Sequence, residues 1–185
     1  MEATERKLAL DHLAASRERV LRAVEGLTAE QRGFQPAEDR WSVAGCVEHI
    51  ILVEDLVFRN MQAVLQSAPQ PEKQAEVRPK DRAVLEKVPL RERRVMGPAA
   101  VHPKNRWPDF EELLRQFEIT RDRSVSFASA TEADLRSHFF PHPILGDLDC
   151  YQWLLFMGTH AERHVRQLEE VKADPGFPKN QGAHA

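Results

Sequence analysis

Two histidines one helical turn apart are the residues most suggestive of chemistry in this chain. His160 and His164 lie in the segment HAERH, and on a helix their rings share one face, about 6 Å apart along the axis. That spacing lets two imidazole nitrogens reach one divalent ion at about 2.0–2.1 Å, the bond length for zinc. A solvated surface pair has the same spacing, so the surroundings of the rings decide between the two interpretations. The histidine face also carries side chains that indicate an inward orientation: Trp153, Phe156, Met157, Gln167 and Leu168.

A third histidine, His49, falls on the inward stripe of another predicted helix. It recurs at helical spacing with Cys46 and Val53. A buried imidazole needs partners for both ring nitrogens, because an unsatisfied polar group is costly away from water. Three inward histidines on two helices meet that need by holding one divalent metal ion, with coordination positions left for water or substrate. We therefore predict a metal site formed by His49, His160 and His164.

Two neighbours of these histidines allow more than one interpretation. Cys46, one turn before His49, is either a buried small apolar residue, which we favour, or a ligand or outer partner of the metal. Gln167, almost one turn after His164, is either an ordinary helix residue or a hydrogen-bond partner that orients the imidazole.

The other histidines are predicted to lie outside the site. His12 falls off the apolar stripe of the first helix, and we expect it to be solvated. Pro141 stands between His138 and His142 and prevents a helix from aligning them. Both are therefore predicted loop residues, with the alternative that one of them reaches the metal site. His102 falls in a long loop.

No other catalytic motif competes with the three histidines. The sequence shows no Ser/His/Asp nucleophile pattern and no glycine-rich phosphate loop. The HExxH pattern of zinc proteases is also absent, because Ala161 follows His160 and Glu162 points to another side of the helix.

Four long amphipathic helices are predicted to position the histidines. Their ends follow from side-chain caps such as Ser42 and the Asp149–Gln152 capping box, and from prolines. A shorter capped turn is expected at Thr28–Gln31. The long helices are expected from about Thr4 to Glu25, from Ser42 to about Val64, from Trp107–Pro108 past Val125, and from Asp149 to just before Pro175.

These elements predict an all-α fold, a four-helix bundle with one long crossover. The segment between the third and fourth helices cannot be continuous helix, because Pro141, Pro143 and Gly146 interrupt it, and another capped turn is expected at Thr131. We predict a single domain over residues 1–175 and a flexible C-terminal tail over 176–185.

The crossover, residues 69–108, is here called the connector. It holds seven of the twelve prolines of the chain and little sustained periodicity. A loop of that length is either disordered or a functional cover, a lid or specificity wall, and a short helical turn is expected near 81–86. The basic stretch 78–94 also contains acidic residues, so we interpret it as a solvated loop rather than a phosphate-binding arm.

Composition excludes several functional classes. The chain has 185 residues, 42% of them hydrophobic and 30% charged, as in ordinary globular proteins. A net charge of -3 gives no electrostatic footprint for nucleic acid. The charged start lacks the apolar segment of a secretion signal, and no apolar run reaches membrane-spanning length. With only two cysteines, far apart, a reduced cytoplasmic protein is expected.

Three segments of the sequence resemble the DinB-like, or DinB/YfiT, superfamily of metal-site proteins. They are GLTAEQRGFQP, WSVAGCVEHI and HPILGDLDCYQWLLFMGTHAERHVRQL. The resemblance implies a four-helix bundle of up-down-down-up connectivity, with a metal held by one histidine from the second helix and an HxxxH pair from the fourth. The positions that match are His49, His160 and His164, and all three are present.

The resemblance also bounds the chemistry. Metals in this superfamily are zinc, nickel, iron or manganese, and we expect zinc or nickel ahead of the other two. Relatives include thiol transferases and a thiol-dependent isomerase, and homodimers are common. The leading hypothesis is a thiol S-transferase acting on a small-molecule electrophile with a low-molecular-weight thiol. The alternatives are a metal-dependent hydrolase and a non-catalytic metal-binding module of the stress response.

Overall fold

Four long helices form the framework of the protein in the computed structural model, which describes residues 1–92, 95 and 97–179. Side chains cap three of them, since Ser42, Asp109 and Asp149 each accept a hydrogen bond from a backbone N–H of the first turn. The four predicted long helices and the bundle are confirmed. The helices are α1 (Ala3–Val24), α2 (Ala29–Gly33), α3 (Val43–Val64), α4 (Gln74–Val77), α5 (Lys80–Lys87), α6 (Phe110–Ala130) and α7 (Cys150–Lys172).

Contacts along α1 give the directions of its two neighbours. Arg6, near the start of α1, bonds the Ala128 carbonyl near the end of α6, whereas Arg17 pairs with Glu118 further back. α1 and α6 are therefore antiparallel. A Cβ at Gly158 of α7 would lie 3.1 Å from the carbonyl oxygen of His12, and later residues of α1 meet later residues of α7. α1 and α7 are therefore parallel and very close, and His12 is half-buried between them rather than solvated as predicted.

The two middle helices, α3 and α6, are also parallel. Glu54 of α3 binds Arg121 of α6, and further along both helices Phe58 meets Phe127 edge-to-face at 5.6 Å between centroids. α3 and α6 can run side by side because the connector carries the chain back from the end of one to the start of the other. The long helices thus follow the up-down-down-up order that the resemblance implied.

A buried ion pair separates two apolar clusters of the core. Arg121 and Glu54 are 0% and 2% exposed, with three hydrogen bonds between guanidinium and carboxylate. Arg121 also donates to the Leu13 carbonyl and the Ser16 hydroxyl of α1. One cluster lies towards Met61 and Tyr151, the other towards Ile50 and Phe117. The pair therefore fixes three helices at one level of the bundle.

A β-hairpin that the sequence interpretation missed precedes α7. Strand β1 (Phe139–His142) pairs antiparallel with β2 (Gly146–Asp149). Gly146 has a φ of +67°, which favours glycine and allows the tight return. Phe140 stacks on Trp153 at 4.3 Å, so the hairpin is packed against the first turn of α7.

The connector is folded along most of its described length. It contains 3₁₀ turns at Pro71–Lys73 and Ala99–Val101 besides α4 and α5, and α5 packs on α7. The helical turn expected near 81–86 is confirmed as part of α5. The interpretation of its basic stretch as a solvated loop was wrong for Arg91, whose side chain is 20% exposed and binds Glu170, whereas Arg78 is exposed and pairs with Glu5.

One local prediction at an element end was wrong, and one is partly beyond the described residues. α6 begins at Phe110 with Asp109 as its N-cap, so Pro108 precedes the helix instead of occupying its first turn. The turn expected at Thr131 is not helical, but its cap is present, since the Thr131 hydroxyl accepts from the Ala133 backbone N–H at 3.2 Å. Most of the predicted flexible tail, residues 180–185, lies outside the described residues, and the part before it includes Phe177, which packs edge-to-face on Phe34. Among the described helices, none has the length and apolar character needed to cross a bilayer.

Candidate metal centre

The three predicted histidines meet in one cluster. His49 comes from the second turn of α3, and His160 and His164 come from successive turns of α7. One nitrogen from each ring lies within 4.8 Å of the others. The ring centroids are 4.5 to 5.2 Å apart. Helical periodicity places the rings together, since the apolar stripes of α3 and α7 that carry them face each other in the bundle.

The three rings of the cluster differ in burial. His49 and His164 are 4% and 5% exposed, whereas His160 is only half-buried. His160 is therefore the most exposed residue of the three.

The backbone of the connector fixes the His49 ring. Nδ1 of His49 lies 2.7 Å from the carbonyl oxygen of Val101. A carbonyl oxygen only accepts, so Nδ1–H donates, and the lone pair of the neutral ring is at Nε2. Such outer hydrogen bonds are the usual support of metal-binding histidines. The connector therefore takes part in building the site.

The carboxylate of Glu48 holds this part of the connector in place. It is 3% exposed, accepts from the backbone N–H groups of Lys104 and Asn105 at 2.9 Å, and pairs with the Arg106 guanidinium at 2.7 Å. Asn105 has a positive φ of 58° in this tight loop. Glu48 therefore anchors the segment that delivers the Val101 carbonyl to His49.

A side chain of α7 fixes the His164 ring. Nδ1 of His164 lies 3.0 Å from Oε1 of Gln167. The role of Gln167 as an orienting partner, one of the two interpretations left open, is confirmed. With Nδ1–H donating to this oxygen, the lone pair of His164 also lies at Nε2.

The facing nitrogens have the separation expected of two ligands of one ion. Nε2 of His164 lies 3.1 Å from Nε2 of His160. Two nitrogens each about 2.0–2.1 Å from one metal, at tetrahedral to octahedral angles, lie about 2.8–3.4 Å apart. With a lone pair directed there from His49 as well, the donor set fits a divalent ion.

Burial keeps the imidazoles of the cluster neutral at pH 7. Desolvation lowers the pKa of His49 to about 4. Desolvation, and then the proximity of the neighbouring rings, lower the pKa of His160 and His164 well below the ordinary value. Only a neutral imidazole has a lone pair for a metal, so the cluster is a competent ligand set at neutral pH.

These pKa values predict the acid limit of metal binding. Metal content should stay constant from pH 7 to about 5 and fall as the pH drops through about 4, because protons compete only near the lowered pKa of His49. The metal-free fold should lose stability between about pH 6.5 and 4, since the unfolded chain takes up protons there and the folded cluster does not. Equilibrium dialysis and chemical denaturation across this pH range measure the two effects.

A hexahistidine peptide provides the control for this titration. Its exposed imidazoles have an ordinary pKa, so it should release metal at a higher pH than the protein. Release of metal from both at the same pH would contradict a buried, neutral cluster.

Aromatic side chains form the walls of the site. The ring of Trp41 lies 4.5 Å from that of His49, and Phe156 stacks on His160 at 5.1 Å. His142 of the hairpin also packs against Phe156, edge-to-face at 5.1 Å between centroids. His142 thus comes to the margin of the site, whereas His138 is bonded to the Asp134 and Ser67 carbonyls and is not part of the cluster.

Cys46 is not a ligand in this arrangement. It is fully buried, burial raises the pKa of its thiol to about 12, and it is absent from the group of converging donors. The favoured interpretation of Cys46 as a small apolar residue is therefore confirmed. Among the described His, Cys, Asp and Glu residues, the cluster contains the three histidines alone.

Sequence comparison relates the chain to a known family. A sequence model of the DinB superfamily matches residues 12–168. The uncharacterized protein YuaE of Bacillus subtilis is 25% identical over 150 residues, which cover 80% of this chain and 88% of that protein.

Two solved structures share the fold. YfiT from Bacillus subtilis, described as a probable metal-dependent hydrolase with an unusual four-helix bundle topology, superposes with a TM-score of 0.66 at 13% identity, covering 96% of this chain and 91% of that one. TT2238, a four-helix bundle protein, gives a TM-score of 0.56 at 23% identity, covering 89% of this chain and 98% of that one.

Proposed function

The chain belongs to the DinB superfamily, and from this premise we propose that it is a metal-dependent enzyme whose single divalent ion is held by His49, His160 and His164. The observation that carries the proposal is the convergence of three neutral imidazoles, two of them fixed by outer hydrogen bonds with their lone pairs at Nε2. Imidazole ligands suit zinc, nickel and iron better than manganese, so manganese is disfavoured. Of the other three metals we expect zinc or nickel.

An open coordination shell supports catalysis over a purely structural role. Structural zinc sites are closed by four protein ligands, whereas catalytic sites keep three and leave one position to solvent or substrate. The described part of the chain offers three converging donors, and His160 is the most exposed of the three residues.

Within this class, transfer of a low-molecular-weight thiol to a small electrophile fits the residues best. A bound divalent ion supplies Lewis acidity, which lowers the pKa of a thiol or a water molecule at the open position. Among the described residues no carboxylate joins the cluster as a general base: Glu48 is engaged by the connector, and Glu162 pairs with Arg19. A thiolate needs no base in its attack, because it has already lost its proton.

The reaction has a simple balance. The thiol proton goes to solvent, the sulfur forms a bond to the electrophilic carbon, and the leaving group departs with its electron pair. The apolar walls of Trp41 and Phe156 would exclude bulk water from the reacting atoms. Hydrolysis is the second candidate, favoured by the description of YfiT as a probable metal-dependent hydrolase.

An assay with both substrate types separates these functions. The metal-loaded protein should accelerate the reaction of monochlorobimane with at least one of glutathione, bacillithiol, mycothiol or cysteine, and the His160→Ala variant should not. Acceleration of ester or amide hydrolysis without thiol transfer would identify the hydrolase instead. A metal-loaded protein that accelerates neither would favour the non-catalytic module.

A further inference from the structure

An arginine of the connector reaches the outer side of the metal centre. Nη1 of Arg91 donates to Oε1 of Gln167 at 3.0 Å, while its Nε and Nη2 bind the Glu170 carboxylate at 2.7 and 2.8 Å. The Arg91 side chain is only 20% exposed. The bidentate pair with Glu170 holds the guanidinium in place. The hydrogen bonds from Arg91 also lower the pKa of Glu170.

The side-chain amide of Gln167 carries two groups with opposite hydrogen-bonding roles. Its oxygen only accepts hydrogen bonds and its NH₂ only donates them, and the two are nearly equal in shape. A guanidinium has donors and no acceptor, so only the oxygen of Gln167 can face Arg91. The same oxygen receives the Nδ1–H of His164.

We propose that Arg91 is a positioning residue that selects the metal-binding tautomer of His164. By holding the Gln167 oxygen inward, it keeps the imidazole proton at Nδ1 and leaves the Nε2 lone pair directed at the cluster. Without Arg91 the amide is free to turn and donate its NH₂ to Nδ1. The proton of the neutral ring then moves to Nε2, where it blocks coordination. The consequence for metal affinity rests on the proposed metal site, whereas the consequence for the tautomer does not.

Simple electrostatics predicts the opposite effect of losing Arg91. Its positive charge repels a cation in the site, and its removal would also leave the Glu170 carboxylate without this partner. Both changes would strengthen metal binding. The sign of the change therefore separates tautomer selection from a long-range effect of charge.

The first test compares two arginines of the connector. Arg91→Met should weaken zinc affinity about 10–100-fold, the cost typical of losing an outer hydrogen-bond partner. Arg82→Met is the matched control, because Arg82 pairs with Glu86 on the exposed face of α5 and should leave the affinity unchanged. Competition with a chromophoric chelator measures both. Unchanged or tighter binding in Arg91→Met would overturn the proposal.

A second substitution tests the amide itself. Both oxygens of a carboxylate at position 167 can only accept hydrogen bonds. Gln167→Glu should therefore restore the Nδ1–H tautomer of His164 in the Arg91→Met background, whichever oxygen faces the ring. The gain in affinity from Gln167→Glu should then be larger in that background than in the wild type, where the Nδ1–H tautomer is already fixed and Arg91 also offsets the added negative charge. Equal gains in both backgrounds would contradict tautomer selection.

Nitrogen NMR of the metal-free protein reads the tautomer directly. The ¹⁵N shifts of His164 should show a protonated Nδ1 in the wild type and a substantial Nε2–H population in Arg91→Met. An unchanged tautomer would overturn the proposal even if zinc affinity fell. If the wild type binds no zinc while the tautomer shifts as expected, the proposed metal function fails and the role of Arg91 stands.

Discussion

Replacing His164 by alanine should remove the metal from the protein and, with it, metal-dependent activity. His164 supplies one of the three donors that converge among the described residues, and its Nε2 lies 3.1 Å from that of His160. Loss of a direct ligand should cost more than the about 10–100-fold in affinity that an outer partner costs. Metal per chain, measured by mass spectrometry after dialysis, should fall from one equivalent to near zero.

A histidine outside the cluster provides the control for this substitution. His12→Ala removes a half-buried imidazole from α1 and should retain one equivalent of metal. Thermal unfolding of metal-free samples of both variants checks that the fold persists. A His164→Ala protein that keeps a full equivalent at wild-type affinity would show that the ion binds elsewhere.

Replacing Arg121 by methionine should destabilise the protein by about 3–5 kcal/mol, the usual cost of breaking a buried ion pair. The substitution leaves the Glu54 carboxylate, 2% exposed, without its guanidinium partner, and also removes the donors to Leu13 and Ser16. The free energy of unfolding from urea titration measures the loss. This loss of stability should be similar with and without metal, because the Arg121–Glu54 pair is not part of the histidine cluster.

Two further variants show whether the cost comes from an orphaned charge. Arg123→Met, two residues further along α6, breaks the half-exposed pair with Asp55 and should cost about 1 kcal/mol or less. The double variant Glu54→Leu/Arg121→Met removes both buried charges and should recover much of the lost stability. A single Arg121→Met variant as stable as Arg123→Met would contradict this account of the core.

The three histidines could be predicted from the sequence because helical periodicity decides where they point. His49 repeats with buried residues of α3, and His160 and His164 repeat with buried residues of α7. Two amphipathic helices that bury their stripes against each other must bring such residues together. The same local rule gave Gln167, since it lies on the inner face almost one turn after His164.

The connector residues of the site could not be predicted in this way. Val101 and Arg91 belong to a segment without periodicity, and they reach partners 52 and 76 residues away in the sequence. Such contacts depend on how the whole connector folds, and proline content alone does not encode that path. Because Arg91 is charged, its sequence context predicted an exposed side chain. In the structure this side chain is only 20% exposed and lies against α7.

The hairpin was missed for a related reason. Pro141, Pro143 and Gly146 correctly excluded a continuous helix, but strands of four residues are too short to show an alternating pattern. Their pairing depends on the packing of Phe140 against Trp153. That packing also brings His142 to the edge of the site.

A crystal structure of the metal-loaded protein, recorded at the absorption edge of the metal, tests the central claim most directly. We expect one anomalous peak per chain, bonded to Nε2 of His49, His160 and His164 at about 2.0–2.1 Å if the metal is zinc. At least one further position should be taken by solvent or a small molecule. A peak away from these histidines, or a shell closed by a fourth protein ligand such as Cys46, would contradict a catalytic three-histidine centre.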